Sequence, residues 1–470
     1  MNPRILESLN PSDTIVAPAT ATGEAAIAMI RVSGPRAYDY VGAGVSRLDI
    51  NSKPANTTHV GEYIIGPGPE IADEVVVALY RAPRSYTGED LIEITCHGSD
   101  LIVQKILTHL IKQGARLAEP GEFTMRAFLN GKLDLAQAES VADLIAAQSD
   151  AAHRLALNQL RGGISKEITA LRQQLIDFAS LLELELDFAE EDVEFANRAE
   201  LKQLVSTIRT VVGQLIESFA YGNAIRSGVM TVIAGRPNAG KSTLLNALLQ
   251  DERAIVSEIP GTTRDTIEEA IQIEGIRFRL VDTAGLREAT DQIEAIGVER
   301  ALEKVGQSAI VVYVFDVTQL SAADVNRDVA DLKEKTTHTQ LIAVANKMDL
   351  HPHAHAEEWS GEHLPADRIL PLSAKNQMNI AYLKEQLVAA VRSGDINPDL
   401  PIIANARHHQ ALLRVDEALQ AVQKGFDEGV TSDFIAMDLR QALHWLGEIT
   451  GEVTTDDLLG NIFANFCIGK

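Results

Sequence analysis

The pattern of apolar and polar positions divides the chain into four zones. Residues 1–130 carry short apolar runs, among them AIAMIRV, EVVVALY and DLIEITC, and Gly/Pro breaks such as GPGP separate these runs. Short apolar runs bounded by turn residues are typical of strands. The first zone therefore predicts an α+β domain built on a sheet.

The second zone, residues 131–227, predicts helices. Gly and Pro are almost absent after RGG at 161–163. Apolar side chains recur at helical spacing, at Leu171, Leu175, Phe178, Leu182 and Leu186. The stretch LELELDF alternates as a strand would, but the longer window with a 3.6-residue period favours a helix. Seven acids and no base lie between Glu183 and Glu194, which is typical of a solvated helix face.

The third zone, residues 228–395, alternates strand-like and helix-like segments, as a doubly wound α/β domain does. Its longest apolar run, AIVVYVF at 309–315, has the length of a buried strand. The fourth zone, residues 396–470, returns to a helical pattern. Because helical zones flank the α/β zone on both sides, we expect an α/β domain inserted into one helical domain.

The segment GRPNAGKS, residues 235–242, fits the phosphate-binding motif G-x-x-x-x-G-K-[ST]. It follows the apolar run VMTVIA and precedes the helical run STLLNALL, which is the context that this motif requires. Its glycines let backbone N–H groups face phosphates at a helix N-terminus. We expect Lys241 to reach the β- and γ-phosphates and Ser242 to bind Mg²⁺.

Four further segments indicate which nucleotide is bound and that it is hydrolysed. Asp282 ends the strand-like run RFRLVD and begins DTAG, whose Gly285 amide can sense the γ-phosphate. Asp349 in NKMD accepts hydrogen bonds only, so it favours guanine, which offers N1–H beside an amine, over adenine. The run SAK at 373–375 can touch the base, and PGTTRD supplies Thr262 and Thr263 for a switch loop. These segments indicate a GTPase, with an ATPase as the rival.

The residue after DTAG differs from that of Ras-like GTPases, which carry a water-orienting Gln at this position. Leu286 occupies it and cannot hydrogen-bond. Arg264 and Arg287 are candidates for an arginine finger, and each could equally be a surface charge. Three acids follow and could orient water, and the sequence does not distinguish between them: Glu288, Asp291 and Glu294.

Composition narrows the class of protein. At 470 residues with 46% hydrophobic and 23% charged residues, the chain predicts two to four globular domains. A net charge of −24 argues against autonomous nucleic-acid binding, so an RNA substrate would need a local patch or a basic partner. Two cysteines, no signal peptide and no apolar run of ~18 residues predict a cytoplasmic protein without a membrane span.

These motifs closely resemble those of the MnmE (TrmE) family, the GTPases that modify C5 of tRNA uridine 34. The resemblance covers the whole chain, from SYTGEDLIEITCHG and PGEFTMRAFLNGKLDLAQAE through the GTPase motifs to ITGEVTTDDLLGNIFANFCIGK. It implies a folate-binding and dimerising α+β domain at 1–130, a helical domain at 131–227 and 396–470, and an inserted Ras-like P-loop G domain at 228–395.

The resemblance also implies a reaction and partners. With an FAD-dependent protein of the MnmG family, such enzymes add an aminomethyl or carboxymethylaminomethyl group to C5 of the wobble uridine of certain tRNAs. The one-carbon unit comes from 5-formyl- or methylene-tetrahydrofolate. The chain would form a homodimer through its N-terminal domain, its G domains would dimerise when GTP and K⁺ bind, and the partner would largely recruit the tRNA.

The same resemblance assigns the site residues. K⁺, which would replace the missing arginine finger, is assigned to Asn238, Ser257, Ile259 and Thr262; Mg²⁺ is assigned to Ser242 and Thr263. Glu294 would orient water, with Glu288 in reserve. Folate is assigned to Arg31, Glu93, Lys132 and Lys470, since a carboxylate suits the pterin N–H pair and cations suit the glutamyl tail. The nucleotide set is Asn238, Ala239, Gly240, Lys241, Ser242, Thr243, Ser257, Glu258, Ile259, Pro260, Gly261, Thr262, Thr263, Asp282, Thr283, Ala284, Gly285, Asn346, Lys347, Asp349, Ser373 and Ala374.

Two cysteines remain to be interpreted. Cys96 and His97 could form a nucleophilic pair, but neighbours on a strand point to opposite faces, so a buried thiol and a packing or capping histidine are favoured. Cys467 lies in FCIGK, where Gly469 and Lys470 break a prenylation box. The resemblance places this tail near folate, and a catalytic Cys467 predicts that Cys467→Ser impairs tRNA modification but not GTP hydrolysis.

A second hypothesis treats the chain as a regulatory GTPase switch that controls a ribosome or membrane partner, with the first domain as a docking module. The two hypotheses differ at the first domain, because only the tRNA-modifying enzyme requires a folate site there.

Overall fold

The computed structural model describes residues 12–470 apart from ten short gaps at 47, 66–69, 188–197, 251–267, 283–308, 336–339, 392–400, 465, 467–468 and 470. The chain divides into two compact units. The first comprises residues up to 145, 158–202 and 417 onward; the second comprises 146–157 and 203–416. The predicted domains at 1–130, 131–227, 228–395 and 396–470 stay a prediction.

The first unit contains a seven-stranded sheet with the strand order β3-β4-β5-β6-β2-β1-β7. The strands are β1 (Ile15–Pro18), β2 (Ala25–Ser33), β3 (Val45–Ser46), β4 (Thr57–Ile64), β5 (Ile71–Tyr80), β6 (Leu91–Gly98) and β7 (Arg116–Leu117). Neighbours are antiparallel except β1 and β7, which run parallel. The predicted α+β domain built on a sheet is confirmed.

Two helices cover one face of this sheet along β2, β5 and β6, whereas part of the opposite face is exposed. Helices α1 (Ala37–Gly42) and α2 (Asp100–Gln113) bury the side chains of Ile30, Val77 and Ile94. On the opposite face Ile27, Val60 and Val76 are 61%, 64% and 41% exposed. Since alternate residues of a strand share a face, an apolar strip remains open to solvent in the single chain.

Helices follow the first sheet. They are α3 (Glu122–Leu129), α4 (Leu135–Ala146), α5 (Asp150–Leu160), α6 (Gly163–Asp187), α7 (Arg198–Glu217) and α8 (Phe219–Ser227), and toward the C-terminus α12 (Ala406–Glu428), α13 (Ser432–Thr450) and α14 (Asp456–Phe463). Within the described ranges, no helix combines the length and the apolarity needed to cross a membrane.

The long helix predicted over LELELDF is confirmed as far as Asp187, the last residue of α6. Leu171, Leu175, Phe178 and Leu182 are buried, and the side chain of Leu186 lies outside the described residues. In the first unit α6 packs on C-terminal helices, because the Phe178 ring stacks on Phe426 at a centroid distance of 6.0 Å. The two outer helical zones therefore meet, as the insertion hypothesis requires.

The second unit contains a six-stranded sheet with the order β13-β12-β11-β8-β10-β9. Only β9 is antiparallel to its neighbour. The elements are β8 (Val229–Ala234), α9 (Lys241–Gln250), β9 (Glu268–Ile273), β10 (Ile276–Asp282), β11 (Ile310–Asp316), α10 (Ala322–Lys335), β12 (Gln340–Asn346), β13 (Ile369–Pro371) and α11 (Ile380–Val391). Every residue of β11 is buried, which confirms the strand predicted at 309–315 and the doubly wound domain.

A short piece of helix from outside the predicted α/β zone packs on this second sheet. Residues 146–157 belong to the second unit, and Ala152 lies in its apolar core. Gly275, in the turn between β9 and β10, has φ +80°, and a Cβ there would lie 3.3 Å from the Ala151 Cβ. Arg277 on β10 donates a hydrogen bond to the Gln148 side chain. The hairpin β9–β10 is thus covered by the start of α5.

Candidate functional site

The predicted phosphate loop, residues 235–240, connects β8 to α9 at the carboxyl edge of the second sheet. Gly235 has φ +150°, and a Cβ there would lie 2.1 Å from the carbonyl oxygen of Val314. A Cβ on Gly240, which has φ +96°, would lie 2.3 Å from Asn346 Nδ2. Only glycine fits either position, so the motif's two glycines are explained by close packing of the loop.

Lys241 is the first residue of α9 and is 7% exposed. Its ammonium donates hydrogen bonds to the carbonyl oxygens of Gly235 at 3.0 Å and Arg236 at 3.1 Å. A positive charge is thereby held over a loop that leads into a helix N-terminus, where backbone N–H groups and the helix dipole favour anions. The arrangement suits a phosphate chain.

Asn346 joins the phosphate loop to the loop predicted to contact the base. Its Nδ2 donates to the carbonyl oxygen of Ala239 at 2.8 Å, and its Oδ1 accepts from the Ala374 amide at 3.0 Å. Ser373 Oγ donates to Asp349 Oδ1 at 2.6 Å. Residues from the phosphate loop, the end of β12 and the loop after β13 are therefore joined by hydrogen bonds, and Asp349 lies beside them.

Asp316 is a member of this assembly that the motifs did not reveal. It ends β11, pairs in register with Asn346, and accepts a hydrogen bond from Lys347 Nζ at 2.6 Å. Burial alone would raise the pKa of Asp316, but the hydrogen bonds from Lys347 and Thr318 outweigh burial and lower it. An acid directly after a fully apolar strand was the signal available in the sequence.

Part of the predicted nucleotide set lies outside the described residues. The backbone of Asp282 ends β10, but its side chain is not described. Also outside are Ser257, Glu258, Ile259, Pro260, Gly261, Thr262, Thr263, Thr283, Ala284, Gly285 and Glu294, together with Arg264, Leu286, Arg287, Glu288 and Asp291. Their roles stay predictions. Ser242 and Thr243 begin α9, and Asn238 is exposed in the loop with φ +62°.

A second cluster of polar side chains lies on the open face of the first sheet. Arg31 and Glu93 face each other across β2 and β6, and Arg31 Nη2 lies 2.7 Å from Glu93 Oε1. The guanidinium carbon lies 5.1 Å from the ring centroid of Tyr86 and 5.7 Å from that of Phe123. A paired cation and anion beside two aromatic rings can hold a flat, polar ligand.

The C-terminal tail reaches this cluster. Arg31 Nη1 donates to the carbonyl oxygen of Gly469 at 3.1 Å. Gly469 has φ +94°, and a Cβ there would lie 2.2 Å from the carbonyl oxygen of Pro18. Phe463 and Phe466 are buried in the cluster that holds Met125 and Leu135. The last described residues are therefore fixed against the first sheet and α3.

Family models and full-length relatives match almost the whole chain. The family "GTP-binding protein TrmE N-terminus" matches residues 14–132, and "MnmE helical domain" matches residues 135–467. The "tRNA modification GTPase MnmE" of Christiangramia forsetii is 49% identical over 98% of this chain and 99% of its own length. The protein of the same name from Cytophaga hutchinsonii is 50% identical over 98% of both chains.

The chain belongs to the MnmE family. Among solved structures, the G domain of the T. maritima FeoB iron transporter aligns with 35% of this chain and 99% of its own, at 22% identity and a TM-score of 0.27. The phosphate-binding motif, the NKMD segment and the strand order of the second sheet indicate a P-loop G domain.

The MnmE resemblance also assigns Lys132 and Lys470 to folate, and of these two the structure describes Lys132. Lys132 Nζ donates to the carbonyl oxygen of Pro83 at 3.0 Å, in the loop that leads to Tyr86. Lys470 and Cys467 lie outside the described residues. Arg31 and Glu93 are thus the two assigned residues that the structure brings into direct contact.

Tyr86 and Phe123 were missed by the sequence reasoning. Tyr86 OH hydrogen-bonds to Thr124 Oγ1 at 2.8 Å, which ties the SYTGED segment to α3. Next to them Glu122, 1% exposed, accepts hydrogen bonds from Arg116 and Arg126. These contacts hold the two aromatic rings beside Arg31. Their only signal was their place inside two blocks shared with the MnmE family.

Cys96 is not placed for nucleophilic chemistry. It is 2% exposed, and burial and the nearby Asp73 raise its pKa to about 11. His97 points to the opposite face, where its Nδ1 lies 2.8 Å from Asp73 Oδ1. A thiol with a raised pKa carries little thiolate, so the predicted buried thiol is confirmed. The predicted packing or capping role of His97 is not, because its side chain is 70% exposed and contacts Asp73 at the surface.

Proposed function

We propose that this member of the MnmE family is a K⁺-dependent GTP hydrolase that acts with an FAD-dependent protein of the MnmG family on tRNA. Together they would add an aminomethyl or carboxymethylaminomethyl group to C5 of the wobble uridine, with a tetrahydrofolate derivative as one-carbon donor. Membership of the MnmE family supports GTP hydrolysis and tRNA modification. The K⁺ dependence, the FAD-dependent partner, the folate donor and the reaction at C5 are our proposal. A cytoplasmic location, expected from the two cysteines, is part of it.

The observation that supports this function best is that two separate clusters stand on two separate sheets. One, at the edge of the second sheet, presents Lys241 and Asp349 as phosphate and guanine ligands. The other, on the first sheet, presents the Arg31–Glu93 pair beside aromatic rings. A simple nucleotide switch needs the first cluster alone, whereas a GTPase that handles a second small ligand needs both.

The residues of the first cluster suit GTP. Asp349 can accept the guanine N1–H and amine, while Ser373 fixes one of its oxygens. Lys241 can exchange its two carbonyl contacts for phosphate oxygens. Mg²⁺, held by the Ser242 hydroxyl and Thr263, would neutralise phosphate charge. K⁺, held by Asn238 and by Ser257, Ile259 and Thr262, would supply the charge that an arginine finger supplies elsewhere.

The residues of the second cluster suit a reduced folate. Glu93 can accept the N–H pair of a pterin, because a carboxylate takes two parallel hydrogen bonds well. Tyr86 and Phe123 offer apolar faces to its ring system. Arg31, between Glu93 and the Gly469 carbonyl, can turn toward a glutamyl carboxylate. Lys132 and Lys470 would add positive charge for the same tail.

The open face of the first sheet supports a homodimer. Ile27, Val60 and Val76 form an exposed apolar strip on the face that also carries Arg31 and Glu93. A second copy of the chain would cover this strip and enclose the ligand cluster. Analytical ultracentrifugation of the full-length chain at micromolar concentration is expected to show a dimer, and a monomer throughout would contradict the proposal.

Mass spectrometry of tRNA tests the function directly. In cells that lack this gene, we expect the aminomethyl-type modification of wobble uridine to disappear, to return with the wild-type chain, and to stay absent with Lys241→Ala. Lys241→Ala removes the ammonium that faces the phosphates, so nucleotide binding is lost. Unchanged wobble uridine in the deletion strain would favour the regulatory switch instead.

The K⁺ proposal has its own measurement. We expect GTP turnover to be at least tenfold faster in KCl than in NaCl at the same ionic strength, because a cation beside the β–γ bridge contributes several kcal/mol of charge stabilisation. Asn238→Ala should abolish that difference. Asn246→Ala, at an exposed position of α9, is the matched control and should retain it. Equal rates of the wild-type chain in both salts would contradict the proposal.

A further inference from the structure

An ion pair joins the phosphate loop to the helix α10. Arg236, the second residue of the loop, directs its guanidinium away from Lys241 and onto α10. Its Nε and Nη2 donate to Asp328 Oδ2 and Oδ1, each at 2.8 Å. Asp324, one turn earlier, lies 3.6 Å from the same guanidinium. A forked pair of this kind fixes orientation as well as distance.

The acceptor of this pair is itself fixed from the sheet. Tyr313 OH donates to Asp328 Oδ2 at 2.7 Å, and Tyr313 is 2% exposed. Tyr313 lies on β11 and pairs in register with Ala234, the residue immediately before the loop. Arg236, Asp328 and Tyr313, which we call the loop brace, therefore connect the loop to the strand beside its own.

The brace acts on a residue whose carbonyl oxygen accepts a hydrogen bond from Lys241. Lys241 Nζ donates to the carbonyl oxygen of Arg236, so the Arg236 side chain and main chain have different partners. The preceding residue, Gly235, packs against the Val314 backbone and leaves no room for a side chain. At its other end, the loop is held by Asn346 through the Ala239 carbonyl.

We propose that the loop brace is a positioning device for nucleotide binding, which keeps the phosphate loop in its binding conformation before the nucleotide arrives. A loop that is ordered in advance loses less conformational entropy on binding, so its affinity is higher. The side chains of the brace contact one another, so its effect would pass through the Gly235–Arg236 backbone to Lys241. The proposal rests on guanine-nucleotide binding at this loop, as stated above.

Equilibrium binding of a fluorescent GDP analogue to the full-length chain tests the brace. Asp328→Asn and Arg236→Gln each replace one charged partner with a neutral polar group. For each, we expect Kd to rise about tenfold, as for a lost charge-assisted pair. Arg327→Gln is the matched control, since Arg327 is the neighbouring exposed arginine of α10, and its Kd should stay within twofold of the wild-type value.

A double-mutant cycle separates positioning from general stability. If the pair acts as a unit, the double variant binds no more weakly than either single variant. Thermal unfolding of the nucleotide-free variants should stay within a few degrees of the wild type. Tyr313→Phe, which removes a single hydroxyl, should weaken binding in the same direction and less, and Arg236→Lys should recover part of the affinity lost in Arg236→Gln.

Three results would overturn the brace: both single variants binding as the wild type does, losses that multiply in the double variant, or losses that follow a matching fall in unfolding temperature. Absence of binding by the wild-type chain would overturn the proposed function and this inference together. Normal wild-type binding with unaffected variants would overturn the brace alone.

Discussion

Asp349→Asn is expected to exchange guanine for xanthine as the preferred base. The Asp349 carboxylate only accepts, so it suits the guanine N1–H and amine. Xanthine carries a carbonyl where guanine carries the amine, and an Asn amide can donate to that carbonyl while its oxygen still accepts from N1–H. A site built around such hydrogen bonds rejects a mismatched base strongly. We expect GTP affinity to fall by on the order of 10³ and XTP affinity to rise.

Competition binding and turnover with GTP and XTP measure this exchange. The Ser373 hydroxyl, 2.6 Å from Asp349 Oδ1, can keep its contact with the new amide oxygen, so the loop should remain folded. Asp367→Asn makes the same chemical change at an exposed residue before β13 and serves as the control. Loss of GTP binding without any gain for XTP would mean that Asp349 supports the loop and does not read the base.

Glu93→Gln is expected to separate the two centres of the protein. The change removes the charge that pairs with Arg31 at 2.7 Å and places an amide donor where a pterin offers donors. We expect affinity for 5-formyl-tetrahydrofolate to fall about a hundredfold, as for a buried hydrogen-bonded group left without its partner. GTP hydrolysis should stay unchanged, because the nucleotide residues stand on the other sheet. Wobble-uridine modification should be lost.

Titration calorimetry with the full-length chain and a GTPase assay on the same preparation provide the two readouts. Glu74→Gln alters an exposed acid on the neighbouring strand β5 and should change neither. If Glu93→Gln binds the folate as tightly as the wild type, Glu93 is a structural partner of Arg31 only. If the wild-type chain binds no folate, the first sheet is a docking surface and the regulatory hypothesis gains.

The elements that sequence predicted well are those set by local pattern. β11 follows from a run of apolar residues, and α6 from a 3.6-residue period that outweighs the alternation in LELELDF. The phosphate loop is equally local, because its spacing, flanking strand and following helix lie within 25 residues. The roles that the motifs assign to Lys241 and Asp349 stay predictions.

The contacts that sequence could not predict join residues far apart in the chain. Arg236 and Asp328 are separated by 92 positions and Arg31 and Gly469 by 438, and no periodicity relates them. In the sequence, Arg236 occupies an unspecified position of the motif G-x-x-x-x-G-K-[ST], and Asp328 is one acid among several on an amphipathic helix. The strand order of the first sheet is likewise set by tertiary packing, which local propensity does not encode.

The start of α5, packed on the hairpin β9–β10, affects how the G domain can be treated as a module. A fragment cut at residue 228 would lose residues 146–157, and with them the cover over Ile273, Ile276 and Phe278 in the core that contains Ala152. Apolar surface uncovered in this way promotes association. The inserted domain is therefore not self-contained. Transferring it into another protein would require α5 as well, or polar replacements on the hairpin.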